Sequence, residues 1–204
     1  MKTRVSLLLA LLQLMLVPLG FAANPFLSAK SNEPVSAKFK GTEWNDEFEK
    51  EEYAWSTRVT TQRVATAKWG AFFKIAFDQI TTRAPRSRKM LPLYFFTTDN
   101  EIVLFNEEKP EEAIAQAAGK DEPPKFEPSD IYGLVKGSRK IPDGNLSTVT
   151  LAVKGDKSSY AYSHNSGHFT RFTWQSGVGL VEVAQGYGAH KDGYSLKRDA
   201  AGKK

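Results

Sequence analysis

With 204 residues and no cysteine, the chain has to hold a fold together without disulfides; about 180 residues after a leader is a size at which roughly 70% of the unfolded surface is removed on folding. The net charge of +5, of which Lys2 and Arg4 supply two, is too slight to make the concentrated basic surface of a nucleic-acid binder. The lack of cysteine also excludes a lipid anchor attached through a cysteine at a cleavage site, and it suits a bacterial envelope protein better than a small disulfide-stapled animal domain.

The N-terminus has the order of a secretory signal: a basic start at Lys2 and Arg4, an apolar run from Val5 to Val17, and small residues from Gly20 to Ala23. The apolar run is shorter than the roughly 20 residues a helix needs to span a bilayer, and Pro18 stops it. Residues 1–22 are therefore expected to be a signal peptide, cleaved after Ala22 or Ala23. The mature chain is expected to be secreted or periplasmic, without a transmembrane anchor.

Residues 23–41 are rich in Ser, Lys, Pro and Asn, which predicts a flexible lead-in outside the core. Asn45 followed by Asp46, Glu47 and Glu49 predicts a short helix over 46–54, with a capping side chain and acids at the positive end of its dipole. The β-branched run from Trp55 to Val64 predicts a strand. So does the alternation of Phe73, Ile75 and Phe77 with Lys74, Ala76 and Asp78. Arg83, Arg86, Arg88 and Lys89 then form a basic loop broken by Pro85, a solvated connection or a contact for an anionic partner.

Leu91 to Thr98 and Glu101 to Phe105 flank Asp99-Asn100, a hairpin signature. Its register puts Leu93, Phe95 and Thr97 on one face with Ile102 and Leu104, and Tyr94 and Phe96 on the other with Val103 and Phe105. Both faces are apolar, so both should be covered. Pro110 to Ala118 predicts a two-turn helix, with proline at its start and Gly119 past its end. Residues 120–128 read as a surface connection, 131–135 as a short strand, 142–145 as a turn and 147–153 as a strand. From Ser158 the chain reads as a β-meander, with strands near 158–163, 168–174, 178–184 and 194–197 separated by glycine-ending turns. Residues 42–198 are expected to form a single β-rich domain and 199–204 a disordered tail.

The three histidines all lie in the last stretch of the chain. His164 and His168 would be about 13 Å apart on one flat strand. Across a three-residue turn they become cross-strand neighbours with Cβ atoms roughly 5 Å apart. That geometry permits two metal ligands, but nothing in the spacing compels a third from His190 or Asp192, and no metal or other cofactor is expected. The same register puts Tyr160, Tyr162, Phe172 and Trp174 on the face that carries His164 and His168. Such an aromatic row is either a core face or a platform for sugars or apolar ligands. No Gly-x-Ser-x-Gly elbow, His-Glu-x-x-His pair or phosphate-cradling loop is present.

The stretch Trp174-Gln175-Ser176-Gly177-Val178-Gly179-Leu180, with Gly186-Tyr187-Gly188-Ala189, Asp192-Gly193 and Leu196-Lys197, is similar to the C-terminal ending of a loose set of uncharacterised exported bacterial β-rich proteins. The resemblance implies a bacterial, exported, β-rich chain and assigns no functional residue.

Together these readings predict a mainly β fold, an antiparallel sandwich or partly closed barrel with one or two short helices. The expected function is non-catalytic binding of a small ligand, a glycan or an envelope protein. Tyr160, Tyr162, His164, His168, Phe172 and Trp174 are the candidate ligand-binding face, and Arg83, Arg86, Arg88 and Lys89 the candidate anionic contact. The alternatives are a periplasmic hydrolase built around the histidine-bearing hairpin with a nearby acid, and a structural subunit of an envelope assembly.

Overall fold

The computed structural model describes residues 24–27, 33–46, 52–82, 84, 88–188 and 191–199. The expected signal peptide, most of the expected 46–54 helix, Arg83, Arg86, His190 and the tail beyond Asp199 lie outside them.

The described residues form a mainly β fold in which twelve strands make one antiparallel sheet, rolled into a partly closed barrel. The first three strands are β1 (Val35–Asn45), β2 (Tyr53–Ala67) and β3 (Gly70–Thr82). The hairpin of β4 (Leu93–Thr97) and β5 (Glu101–Leu104) follows, then helix α1 (Pro110–Ala118), a 3-10 turn at Pro128–Asp130 and β6 (Ile131–Leu134). The meander consists of β7 (Ser138–Asp143), β8 (Ser147–Lys154), β9 (Lys157–His164), β10 (Phe169–Gln175), β11 (Gly179–Tyr187) and β12 (Asp192–Arg198). In space the order is β6-β5-β4-β3-β2-β1-β12-β11-β10-β9-β8-β7, so the chain runs up and down in two halves joined where β1 pairs with β12.

The hairpin register is the expected one, with Phe95 opposite Leu104, Phe96 opposite Val103 and Thr97 opposite Ile102. Phe95 and Ile102 fill the barrel interior, whereas Tyr94, Phe96, Val103 and Phe105 meet Ile114 and Ala117 of α1 on the outside. One apolar face thus lines the barrel and the other lies under the helix. Glu111 on α1 accepts from both Tyr94 Oη (3.0 Å) and Lys74 Nζ (2.9 Å), which ties the helix to β3 and β4. These bonds hold the Glu111 carboxyl below its ordinary range.

Three expectations are corrected. Part of the supposed flexible lead-in is β1, a strand paired on both sides by β2 and β12. Its lysines point outward while Phe39, 1% exposed, points in. Backbone pairing on two edges, together with that one large inward side chain, overrides a polar composition. Tyr53 and Ala54, expected to end a helix, begin β2 instead, where the following β-branched run continues the extended backbone. Pro142 and Asp143, expected in a turn, end β7; the turn comes next, with Gly144 at φ 68°. β7 is an outer strand of the sheet, the position where a proline without an N–H is tolerated.

The roll lays the outer strand β6 against β8, β9 and β10 along a seam without a backbone ladder. Trp174 Nε1 on β10 donates to Tyr132 O on β6 (2.8 Å), and Leu134 N on β6 donates to Ser158 Oγ on β9 (3.0 Å). Arg139 on β7 meets Glu101 on β5 at 3.3 Å across the same seam. Two glycines of the meander accept aromatic rings at close range. An ideal Cβ on Gly186 would lie 2.3 Å from Phe169 Cε1, and one on Gly193 would lie 2.5 Å from Trp44 Cζ2. Any larger residue there would push the ring off the sheet.

One end of the barrel is plugged. Phe26 and Leu27 are buried there, Asn24 Nδ2 donates to Thr98 O (3.3 Å) and Glu101 O (3.2 Å), and Gly177 N donates to Pro25 O (2.8 Å). Among the described residues, no helix is long and apolar enough to cross a membrane.

Candidate functional site

The strand ends at Asn45, Thr82, Leu93, Leu104, His164 and Tyr187 surround the opposite end of the barrel. A deep compartment of about 370 Å³ lies there, lined by apolar groups of Met90, Leu93, Leu104, Tyr132, Phe172 and Tyr194, with Arg88 and Lys89 at its side. A shallower compartment of about 420 Å³ is lined by Tyr162, His164, Ser166, His168, Gln185 and Tyr187. Thr170, Gln185 and Tyr187 line both, so the two compartments adjoin and together make up the groove at this end.

The deep wall is aromatic because inward positions on neighbouring strands coincide. Tyr132 stacks on Tyr160 (4.1 Å between centroids, 7° between planes), Phe172 meets Tyr132 edge-on at 5.2 Å, and Phe95 meets Trp174 edge-on at 5.3 Å. Of the six residues of the expected ligand-binding face, Tyr160, Phe172 and Trp174 are buried in this packing and Tyr162 is half-buried at the shallow compartment. His164 and His168 stand at its rim. Burial raises the Tyr132, Tyr160 and Tyr194 phenols above their ordinary value, so all three remain protonated donors at neutral pH. In the unfolded chain a phenol ionises near pH 10. Stability from these groups is therefore fully present below about pH 10 and lost as pH rises through the higher folded values. Unfolding midpoints followed from pH 8 to 12 are expected to fall steeply above pH 10, and a midpoint independent of pH across that range would contradict these burials.

Arg88, expected as an anionic contact, is committed inside the molecule. Its Nη2 donates to Asp192 Oδ1, its Nη1 lies 3.5 Å from Asp192 Oδ2, and its guanidinium sits over the Tyr194 ring at 5.5 Å. Glu43 Oε2 is 4.0 Å from Arg88 Nε. Glu43 is 1% exposed, and its Oε1 accepts from Thr82 Oγ1. Asp192 also accepts from Asn45 Nδ2 (3.2 Å). Two carboxylates thus face one guanidinium. Lys89 is exposed beside the groove.

The β9–β10 turn makes the histidines neighbours as expected, with His164 N donating to His168 O (2.9 Å) and Gly167 at φ 86°. Both rings converge on one hydroxyl: Ser166 Oγ is 2.6 Å from His164 Nδ1 and 2.5 Å from His168 Nδ1. Ser166 N also donates to His164 Nδ1 (3.1 Å), so that nitrogen is the acceptor, and the hydroxyl can donate to it while accepting from His168 Nδ1–H. His168 lies edge-on to Tyr187 at 5.4 Å. Among the described residues no three His, Asp or Glu side chains converge on a common point. Asp192, the acid weighed as a third ligand, is held by Arg88 and Asn45.

Tyr132, Tyr187, Gln185 and Tyr194 escaped the sequence reading. Tyr194 was open to discovery, since it shares the meander's alternation, whereas Tyr132 reaches the site only through the roll of the sheet. Comparison with known proteins adds no relationship: no family model matches the chain, and no curated protein is significantly similar to it.

Proposed function

We propose that the chain is an exported bacterial protein that binds a small ligand without chemical turnover, and that the ligand occupies the groove at the open end of the barrel. Export is supported by the leader pattern of residues 1–22. Binding rests on one observation: the interior of the rolled sheet is filled by side chains at the plugged end but leaves an aromatic-walled cavity at the other. Its volume of about 370 Å³ lies within the roughly 300–1,000 Å³ of small-molecule sites, which pair apolar walls with a few placed polar groups.

The test is a titration of the mature chain with a neutral apolar dye whose fluorescence rises on leaving water. Saturable one-to-one binding is expected. A Leu93→Glu/Leu104→Glu variant, which places charge in the cavity wall, is expected to weaken binding at least about tenfold, since burying an unpaired charge is costly. Unsaturable binding, or a variant that binds like the parent, would count against the proposal.

A hydrolase is the second reading, favoured by a hydroxyl within hydrogen-bond reach of two imidazoles, the distance relation of an activated nucleophile. Among the described residues no carboxylate bonds either ring to orient it. Ester turnover by the parent that disappears in Ser166→Ala would replace the binding proposal with this one.

A further inference from the structure

Resting on the binding proposal, we infer that the ligand is an anionic amphiphile, its alkyl tail in the deep compartment and its carboxylate or phosphate head against His164, Ser166 and His168. Polarity within the groove orients the ligand. The deep compartment is walled by Met90, Leu93, Leu104 and aromatic rings, whereas the shallow one presents imidazole, hydroxyl and amide groups, and Thr170, Gln185 and Tyr187 join them.

Charge selects the head. Among the described residues no carboxylate lines either compartment, while Arg88, Lys89 and two histidines do. Arg88 cannot serve as the head-group cation, because Asp192 and Glu43 already face it. Its buried Nε has no hydrogen bond among the described residues, but Glu43 Oε2 stands 4.0 Å away, so an anion reaching that nitrogen would meet a buried carboxylate. The histidine end carries no such penalty. The carboxylate on the adjoining hairpin, Asp143, accepts from Ser147 Oγ at 3.2 Å and does not line the groove. At the histidine end His164 Nε2–H, the Tyr162 and Thr170 hydroxyls and the Gln185 amide provide donors, and their hydrogen bonds to an ionised head are charge-assisted.

Calorimetric titration of the mature chain with dodecanoate, dodecyl phosphate, dodecanol and dodecylammonium, all below their aggregation concentrations, reads the head group at constant tail. Inorganic phosphate and acetate are titrated as heads without tails. The two anions are expected to bind at least about tenfold more tightly than the alcohol, because charge-assisted hydrogen bonds are roughly twice as strong as neutral ones, and the ammonium most loosely. His164→Ala/His168→Ala should reduce the anions to the level of dodecanol and leave dodecanol unchanged. His164→Gln/His168→Gln, which keeps the turn's polarity, should do the same. Ammonium binding as tight as the carboxylate, or an anion preference that survives both double variants, would overturn the inference. Inorganic phosphate binding as tightly as dodecyl phosphate would overturn the amphiphile in favour of a free oxyanion. If dodecanol and every other alkyl probe fail to bind, the groove proposal itself falls.

Discussion

Trp174→Ala is expected to destabilise the folded chain by about 3–5 kcal/mol, the range for truncating a large aromatic side chain in a core. Trp174 is 0% exposed, stacks with Phe172 and meets Phe95 edge-on. Its indole N–H also bonds to Tyr132 O across the seam, so the substitution opens a cavity and unfastens β6 from β10 together. Trp174→Phe separates the two effects. It keeps most of the ring packing but leaves a carbonyl without its donor, and is expected to cost about 1–3 kcal/mol. Urea unfolding midpoints measure both. A Trp174→Ala midpoint within error of the parent would mean that the indole does not hold the seam. Loss of ligand binding in a Trp174 variant would therefore report a damaged fold, because this side chain lies behind the groove wall.

Arg88→Met is the second substitution with a large expected effect. It leaves Glu43, whose side chain is 2% exposed, beside Asp192 with no guanidinium between them. Removing one partner of a buried ion pair typically costs 3–5 kcal/mol. The side chain of Arg88 is 22% exposed and that of Asp192 33%, which places the expected loss at the lower end, about 3 kcal/mol. Adding Glu43→Gln should recover a substantial part by removing the stranded charge, with its amide still able to accept from Thr82. If the single variant unfolds with the parent, or the double variant is less stable than the single, the cluster is not a stabilising one.

Local signals in the sequence were enough wherever structure is decided over a few residues. The β4–β5 register followed from alternation around Asp99-Asn100, the bounds of α1 from Pro110 and Gly119, and the meeting of His164 and His168 from the length of their turn. What failed depends on partners far along the chain. Of the inward positions of β1, Gly41 and Glu43 are not hydrophobic, so no periodicity announced a strand that is fixed by β2 on one side and β12 on the other. β7 is mostly polar, with Ile141 its one side chain packed against the core, and exists because β8 offers it an edge. The basic loop had the composition of a solvated turn. Only the folded barrel reveals that one of its arginines lies against two carboxylates from β1 and β12.

Pairing of β1 with β12 also sets a condition on how the protein can be made. The edge of β1 that receives β12 stays bare until residues 192–198 have left the ribosome or emerged from a translocation pore, so the sheet cannot be completed while the chain is still growing. Contacts between such distant segments form slowly, and an unpaired edge invites pairing with another molecule. A holding chaperone that shields the early strands would act at that step, and chains terminated prematurely before Asp192 should accumulate as aggregates.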